Sequence, residues 1–319
     1  MRLLCLCGIA AVFMSGCGQT VVSYDNPYDI YSTSADYGLA SEGAGSEKTY
    51  FSQNLCVADD VNIGNDTTDS QVAEGAGTFN LATNTVTYAQ NIYEKLYPAS
   101  TTKILTAYIA LKYGNLEDYV TVSENAADQA SDSSVCGLKA GDVVQLKDLL
   151  YGMMLKSGND AAIAIAEHIG GSVEGFADMM NQEARAMGAT RSHFVNPNDE
   201  NHYTSVYDLY LIFQNAVQNQ TFLDIISTMS YDVVYTDVNG AGVEKTWENT
   251  NQYLTGKEKA PEGITVVGGK TGTTGAAGYC LVLYSYNASG QPIVSIVLKA
   301  DGKSNLYLLM NEMLSGFAN

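Results

Sequence analysis

Positive charge is scarce in this chain: 16 lysines and arginines stand against 35 aspartates and glutamates, for a formal net charge of -19. Such a surface repels the phosphates of nucleic acid and the heads of anionic lipids, so no nucleic-acid function is expected. Any site for an anionic substrate must gather its own cations from a few lysines. Cysteine is scarce too, and beyond Cys17 only Cys56, Cys136 and Cys280 remain. An odd number leaves room for one disulfide at most, and no CxxC or Cys/His spacing offers a metal site. Cys280, in the strand-like stretch GYCLVLYSY, reads as a buried structural thiol. The three histidines, His168, His193 and His202, read as structural. No segment after the N-terminus approaches the roughly 20 apolar residues of a membrane span, and there is no internal repeat. What the chain does have, at 319 residues and 46% hydrophobic, is enough to bury a full core.

The N-terminus, MRLLCLCGIAAVFMSGC, carries one basic residue and a 12-residue apolar run from Leu3 to Met14. That run is too short to span a bilayer and matches the apolar region of a secretory signal. MSGC is similar to a bacterial lipobox, whose cysteine, here Cys17, is lipidated and becomes the new N-terminus; ordinary signal cleavage is the alternative. Residues 1–17 are read as a lipoprotein-type signal. Residues 18–49, rich in Ser, Gly, Asp and Tyr without periodicity, are read as a flexible tether, and residues 50–319 as the folded domain. The protein is expected to be exported and held by a lipid at the outer face of the bacterial cytoplasmic membrane.

Periodicity predicts a strand in TYFSQNLCVA and a β-hairpin in GTFNLATNTVTYAQN. After PAS, the run TTKILTAYIALKYG has apolar residues at helical spacing and ends at Gly114. Three helices are expected between Gln145 and Gly188, and a fourth in TSVYDLYLIFQNAVQN with Thr204 or Ser205 as its cap. The tail alternates again: YDVVYTD, KTWENTN, ITVVGGKTG, GYCLVLYSY and PIVSIVLKA read as strands, and NLYLLMNEMLSGFAN as a closing helix. Strands bracketing helices predict an α+β fold, one antiparallel sheet from both chain ends with a helical lobe inserted between. A substrate is expected in the cleft between sheet and lobe.

Three motifs carry chemistry. In PASTTKILTA, Ser100 and Lys103 lie one helical turn apart. Ser-Thr-Thr before an apolar helix is also a good capping sequence, and roughly one Ser-x-x-Lys arises by chance at this length. The spacing lets the amine touch the hydroxyl, and a lysine held among apolar groups beside other positive charge loses proton affinity and serves as a base. KSGND offers Ser157 and Asn159 at a helix-helix turn, where a loop cap is the plainer reading. Ser-x-Asn recurs at Ser52/Asn54, Ser123/Asn125 and Ser285/Asn287, so context alone selects this copy. VVGGKTGTTGAAGY places Lys270, Thr271, Gly272 and Thr273 on a strand flanked by small residues, which lets a ligand or another backbone approach closely; a glycine-rich hairpin is the plainer alternative.

In order and context, these motifs resemble the active-site-serine, penicillin-binding family with the β-lactamase/transpeptidase-like fold, above all its D-alanyl-D-alanine carboxypeptidases. The likeness runs from about Tyr50 to the C-terminus through PASTTKILTA, LKSGNDAA, NHYTSVYDL and GGKTGTTGAAGYCLV. It implies that Ser100 attacks the D-Ala-D-Ala bond of a peptidoglycan stem peptide, with Lys103 as proton acceptor. Ser157 would relay the proton to the leaving amine, and Asn159 would hold the substrate amide and orient Lys103. Lys270 and Thr271, in the Lys-Thr-Gly strand with Gly272 and Thr273, would bind the substrate's carboxylate end. The N-H groups of Ser100 and Thr273 would form an oxyanion hole, each worth about 3 kcal/mol. The resemblance further implies binding of β-lactam antibiotics and no metal or cofactor. One departure stands out: the His-Gly-containing run that often follows NP in this family is missing after Pro197.

Two rivals remain at this stage. A class A type β-lactamase would need a Glu-x-x-Leu-Asn loop between the second and third motifs, and none lies between Asn159 and Lys270. A lipid-anchored binding protein with relic motifs would tolerate losses at Ser100, Lys103, Ser157 or Lys270, all of which are intact.

Overall fold

In the computed structural model, residues 52–198 and 201–318 are described. The residues read as signal and tether, Cys17 among them, lie outside these ranges.

The predicted hairpin forms β1 (Ala73–Asn80) and β2 (Thr85–Gln90), antiparallel across a turn in which Asn84 takes a positive φ of 54°. From the other end of the chain come β7 (Thr265–Thr274), β8 (Gly278–Tyr286) and β9 (Pro292–Ala300). The five strands make one antiparallel sheet in the order β2-β1-β9-β8-β7, in which β9 pairs with both β1 and β8. The expected sheet from both chain ends is present, and β7, with its Lys-Thr-Gly, is an edge strand.

Both faces of this sheet are covered, which is why β8 and β9 read as near-continuous apolar runs. On one face lies the closing helix, Lys303–Phe317, whose Leu306, Met310, Met313 and Leu314 pack on Ala76, Leu281, Leu283, Ile293 and Val297. Each such fully buried side chain contributes roughly 1.5–3 kcal/mol. On the other face lies the helical lobe: α1 (Lys103–Tyr113), α2 (Glu124–Ala127), α3 (Leu146–Tyr151), α4 (Asn159–Gly170), α5 (Val173–Ala186), α6 (Val206–Ala216) and α7 (Gln220–Ser227), so the closing helix is α8. Ser172 and Ser205 cap α5 and α6 by accepting the N-H of Gly175 and Asp208. Residues 54–319 form one compact unit, and no helix among the described residues is long and apolar enough to cross a membrane.

Three differences from the sequence reading have physical causes. The strand expected in TYFSQNLCVA is absent over its described part, where two side chains replace a ladder. The N-H of Cys56 donates to the Tyr210 hydroxyl at 2.8 Å, and its carbonyl accepts from Tyr207 at 2.9 Å. The strands in YDVVYTD and KTWENTN, β5 (Ser230–Thr236) and β6 (Gly242–Glu248), do not join the main sheet. With β3 (Tyr119–Thr121) and β4 (Val143–Gln145) they form a second antiparallel sheet, β3-β4-β5-β6. Their alternating burial is that of a sheet with one wet face. Finally, Cys56, Cys136 and Cys280 are buried and all free, so the single disulfide that the count allowed is not made.

Candidate active site

The first motif does not cap its helix. Residues Ala99–Thr102 make a tight 3-10 turn leading into α1, and neither Pro98 nor Thr102 makes a side-chain cap. The chain enters this turn through Ala99 at a φ of 48°, a left-handed backbone that costs a residue with a Cβ about 1–2 kcal/mol. The Ser100 hydroxyl instead accepts a hydrogen bond from Lys103 Nζ at 2.9 Å. Lys103 is 0% exposed, and its amine also reaches Asn159 Oδ1 at 2.6 Å. A buried amine needs such acceptors, because an unpaired one costs several kcal/mol.

The second motif sits where α3 loses its regular pitch. Over Gly152–Lys156 the helix widens, and the N-H of Ser157 reaches back five residues to the carbonyl of Gly152. Such π-turns recur at functional sites. Ser157 ends this turn with φ 64°, and the chain then starts α4 at Asn159. Gly158 between them has no room for a side chain, since a Cβ there would collide with the Cys136 sulfur.

The third motif runs along β7 past the first. A Cβ on Gly272 would stand 3.0 Å from the backbone nitrogen of Ser100 and from the carbonyl of Pro98, so glycine is what lets the strand lie against the Ser100 turn. Lys270, 1% exposed, donates to Ser157 Oγ at 2.9 Å and to the carbonyl of Thr271 at 2.8 Å. Ser157 and Lys270 are 113 residues apart in the chain.

A cleft of about 360 Å³ opens over this junction, lined by Ser100, Ser157, Asn159, Thr271, Gly272 and Thr273. All eight sequence-selected residues of the folded domain therefore meet at one place: six line the cleft, and Lys103 and Lys270 lie beneath it, bonded to Ser100 and Ser157. Two buried lysines are thus gathered at one cleft in a protein of net charge -19. Sequence reasoning missed Thr250, whose hydroxyl lies 2.6 Å from that of Thr271 at the cleft wall, and the rim Asp132–Ser134. No motif marks them; only the fold brings them here.

The sequence reads His202 as structural, and the fold buries it. It is buried on the segment whose neighbours bridge to His193 and Leu96, and its Nδ1 accepts from the N-H of Val195 at 3.1 Å. Burial first, then the charge of Lys103 and the neighbouring His193, hold its pKa down at about 3, so it stays neutral.

This sheet, this inserted lobe and this cleft between them define the β-lactamase/transpeptidase-like class of fold. A Streptomyces DD-transpeptidase known from its crystal structure superposes with a TM-score of 0.69 at 30% identity, over 76% of this chain and 97% of that one. A family profile described as D-alanyl-D-alanine carboxypeptidase matches residues 65–302, and the chain belongs to that family. It is 36% identical over 209 residues to D-alanyl-D-alanine carboxypeptidase DacF of Bacillus subtilis, covering 62% of this chain and 50% of that protein. Against DacA of Haemophilus influenzae the identity is 32% over 241 residues, covering 72% and 58%. A D-alanyl-D-alanine carboxypeptidase of Streptomyces is 32% identical over 241 residues, covering 71% and 80%. The chain thus spans 50% and 58% of the length of the first two relatives.

Proposed function

We propose that the protein is a serine-type D-Ala-D-Ala carboxypeptidase acting on peptidoglycan stem peptides and acylated by β-lactams. The observation that carries this reading is the pairing of Ser100 with Lys103 on one side of a cleft whose other side pairs Ser157 with Lys270. With Lys103 as a neutral amine, the Ser100 proton passes to Nζ as Oγ attacks the carbonyl carbon of the penultimate D-alanine. The N-H groups of Ser100 and Thr273 stabilise the oxyanion, a contribution of about 3 kcal/mol each. Collapse breaks the peptide bond, and the proton from Lys103 returns through the Ser157 hydroxyl to the departing D-alanine nitrogen. Water, with Lys103 again accepting a proton, then attacks the Ser100 ester; the acyl C–O bond breaks and Lys103 returns the proton to Ser100 Oγ. Lys270 supports the hydroxyl of Ser157 and, with Thr271, supplies the field that holds the terminal carboxylate; Asn159 orients Lys103 and takes the substrate amide.

The test is labelling of the purified protein with fluorescent penicillin, followed by peptide mass spectrometry, together with D-alanine release from a D-Ala-D-Ala peptide. The adduct is expected on the peptide containing Ser100. Rapid penicillin turnover without a lasting adduct would return a β-lactamase, and folded protein showing neither activity would return a binding protein.

For the export region, the reading is a lipid on Cys17 and a tether over residues 18–49 that place the domain at the outer face of the cytoplasmic membrane. It is supported by the apolar run Leu3–Met14 followed by Ser15, Gly16 and Cys17. Cys17→Ala is expected to release the protein from membranes; full retention there would dismiss the lipid.

A further inference from the structure

Asp160 follows the second motif directly and is 1% exposed. Its carboxylate accepts four backbone N-H groups: Cys136 at 2.8 Å, Gly137 at 2.8 Å, Leu138 at 3.0 Å and its own neighbour Ala161 at 2.9 Å. Three of these come from one segment, which wraps the anion. Across that segment, Lys245 of β6 donates to the carbonyls of Cys136, at 3.2 Å, and Gly137. The N-H groups of these residues face an anion and their carbonyls face a cation, so both charges pull the segment's polar groups into alignment.

This segment continues into the cleft. Asp132, Ser133 and Ser134 form its rim beside Ser157 and Asn159. Ser134 is bonded on either side of Ser157: its hydroxyl donates to the carbonyl of Lys156 at 2.7 Å, and its carbonyl accepts the N-H of Asn159 at 2.8 Å. The Cys136 sulfur fills the space that a side chain at residue 158 would need. We propose that Asp160 and Lys245 form a two-sided clamp on Cys136–Gly137 which, through Ser134, fixes the cleft rim and the Ser157–Asn159 turn, making both of them positioning residues for the acylation of Ser100. The proposal rests on the reading of Ser100 as the acylated residue.

The test uses the full chain with Asp160→Asn, Lys245→Met, Lys245→Arg and the double variant Asp160→Asn/Lys245→Met. Lys245 is half-buried, so Met keeps the packing of its stem and serves if Asp160→Asn fails to fold. Penicillin acylation rates are measured below the melting temperature of every variant, with hydrogen exchange at the amides of Cys136, Gly137, Leu138 and Asn159. Acylation is expected to fall about tenfold in Asp160→Asn and severalfold in Lys245→Met, and to return in Lys245→Arg. The double variant should lose less than the product of the single losses, because both residues hold one segment. Faster exchange is expected at all four amides.

Wild-type acylation rates in folded Asp160→Asn or Lys245→Met, or independent multiplying losses, would overturn the clamp. Should the wild-type protein itself fail to label, the carboxypeptidase reading fails instead. Exchange then decides the clamp alone: unchanged protection at Asn159 in Lys245→Met rejects it, and lost protection there upholds it.

Discussion

The amide oxygen of Asn159 lies 2.6 Å from Lys103 Nζ, at least as close as the Ser100 hydroxyl at 2.9 Å. A neutral amine has two N-H groups and one lone pair. If Asn159 takes one N-H, the lone pair is free to turn toward the serine proton, so in the proposed mechanism the asparagine orients the base.

Replacing that amide by a carboxylate tests this. Asn159→Asp puts a negative charge against the amine and favours its protonated form. The acid limb of the acylation profile is expected to move to higher pH, with slower labelling at neutral pH. A profile superimposable on the wild type would remove Asn159 from this role.

Lys103→Ala removes the proposed proton acceptor and leaves the hydroxyl in a buried turn. General-base loss of this kind costs about 10³-fold in rate, and the penicillin adduct is expected to disappear on the timescale of wild-type labelling. Ser100→Ala should give no adduct at any time. Equal labelling of Lys103→Ala and wild type in stopped-time gels would show that another group takes the proton.

Gly272→Ala asks how much depends on the closeness of β7 to the Ser100 turn. The new methyl would press on the Ser100 nitrogen and the Pro98 carbonyl at 3.0 Å, tighter than an ordinary contact, in a place where both neighbours are backbone. A drop in acylation of about tenfold or more is expected, with penicillin and peptide affected alike, because both need the same oxyanion geometry. Intact rates would mean that the strand yields without consequence.

His202 gives the fold a pH dependence of defined sign. Its pKa is about 3 in the folded protein against an ordinary 6.5, so between those values the unfolded chain binds the extra proton. The stability it contributes is fully present above pH 6.5 and is lost as pH falls toward 3, at up to about 1.4 kcal/mol per unit. Melting temperatures from pH 7 to pH 4 should therefore fall more steeply for the wild type than for His202→Gln. Parallel curves would show that the imidazole is not the group responsible.

The hairpin, the long helices and the three late strands were legible because each repeats its pattern over enough residues for period 2 or 3.6 to emerge. β3 and β4, three residues each, and the four-residue α2 are too short to carry a period; they exist because β5 and the lobe give them partners. The eight-residue α7 is long enough for a period but has only Phe222, Ile225 and Ile226 buried. The widened turn before Ser157 was equally hidden, since LLYGMML reads as unbroken helix. In the site, motif spacing revealed Ser100, Lys103, Ser157, Asn159 and Lys270. Asp160, Lys245 and Thr250 left no such trace, because what each of them holds is supplied by a segment distant in sequence. Ser100 stood where a cap was plausible, and only coordinates could separate a cap from a partner for Lys103.

Ser157 ends the widened turn with its backbone in the left-handed region. A threonine would bring the same hydroxyl, yet a branched Cβ is poorly tolerated at such a torsion. Handedness of the main chain thus screens the genetic alphabet here before reactivity is consulted: of the two aliphatic alcohols available to proteins, only the smaller one can occupy the corner at low cost.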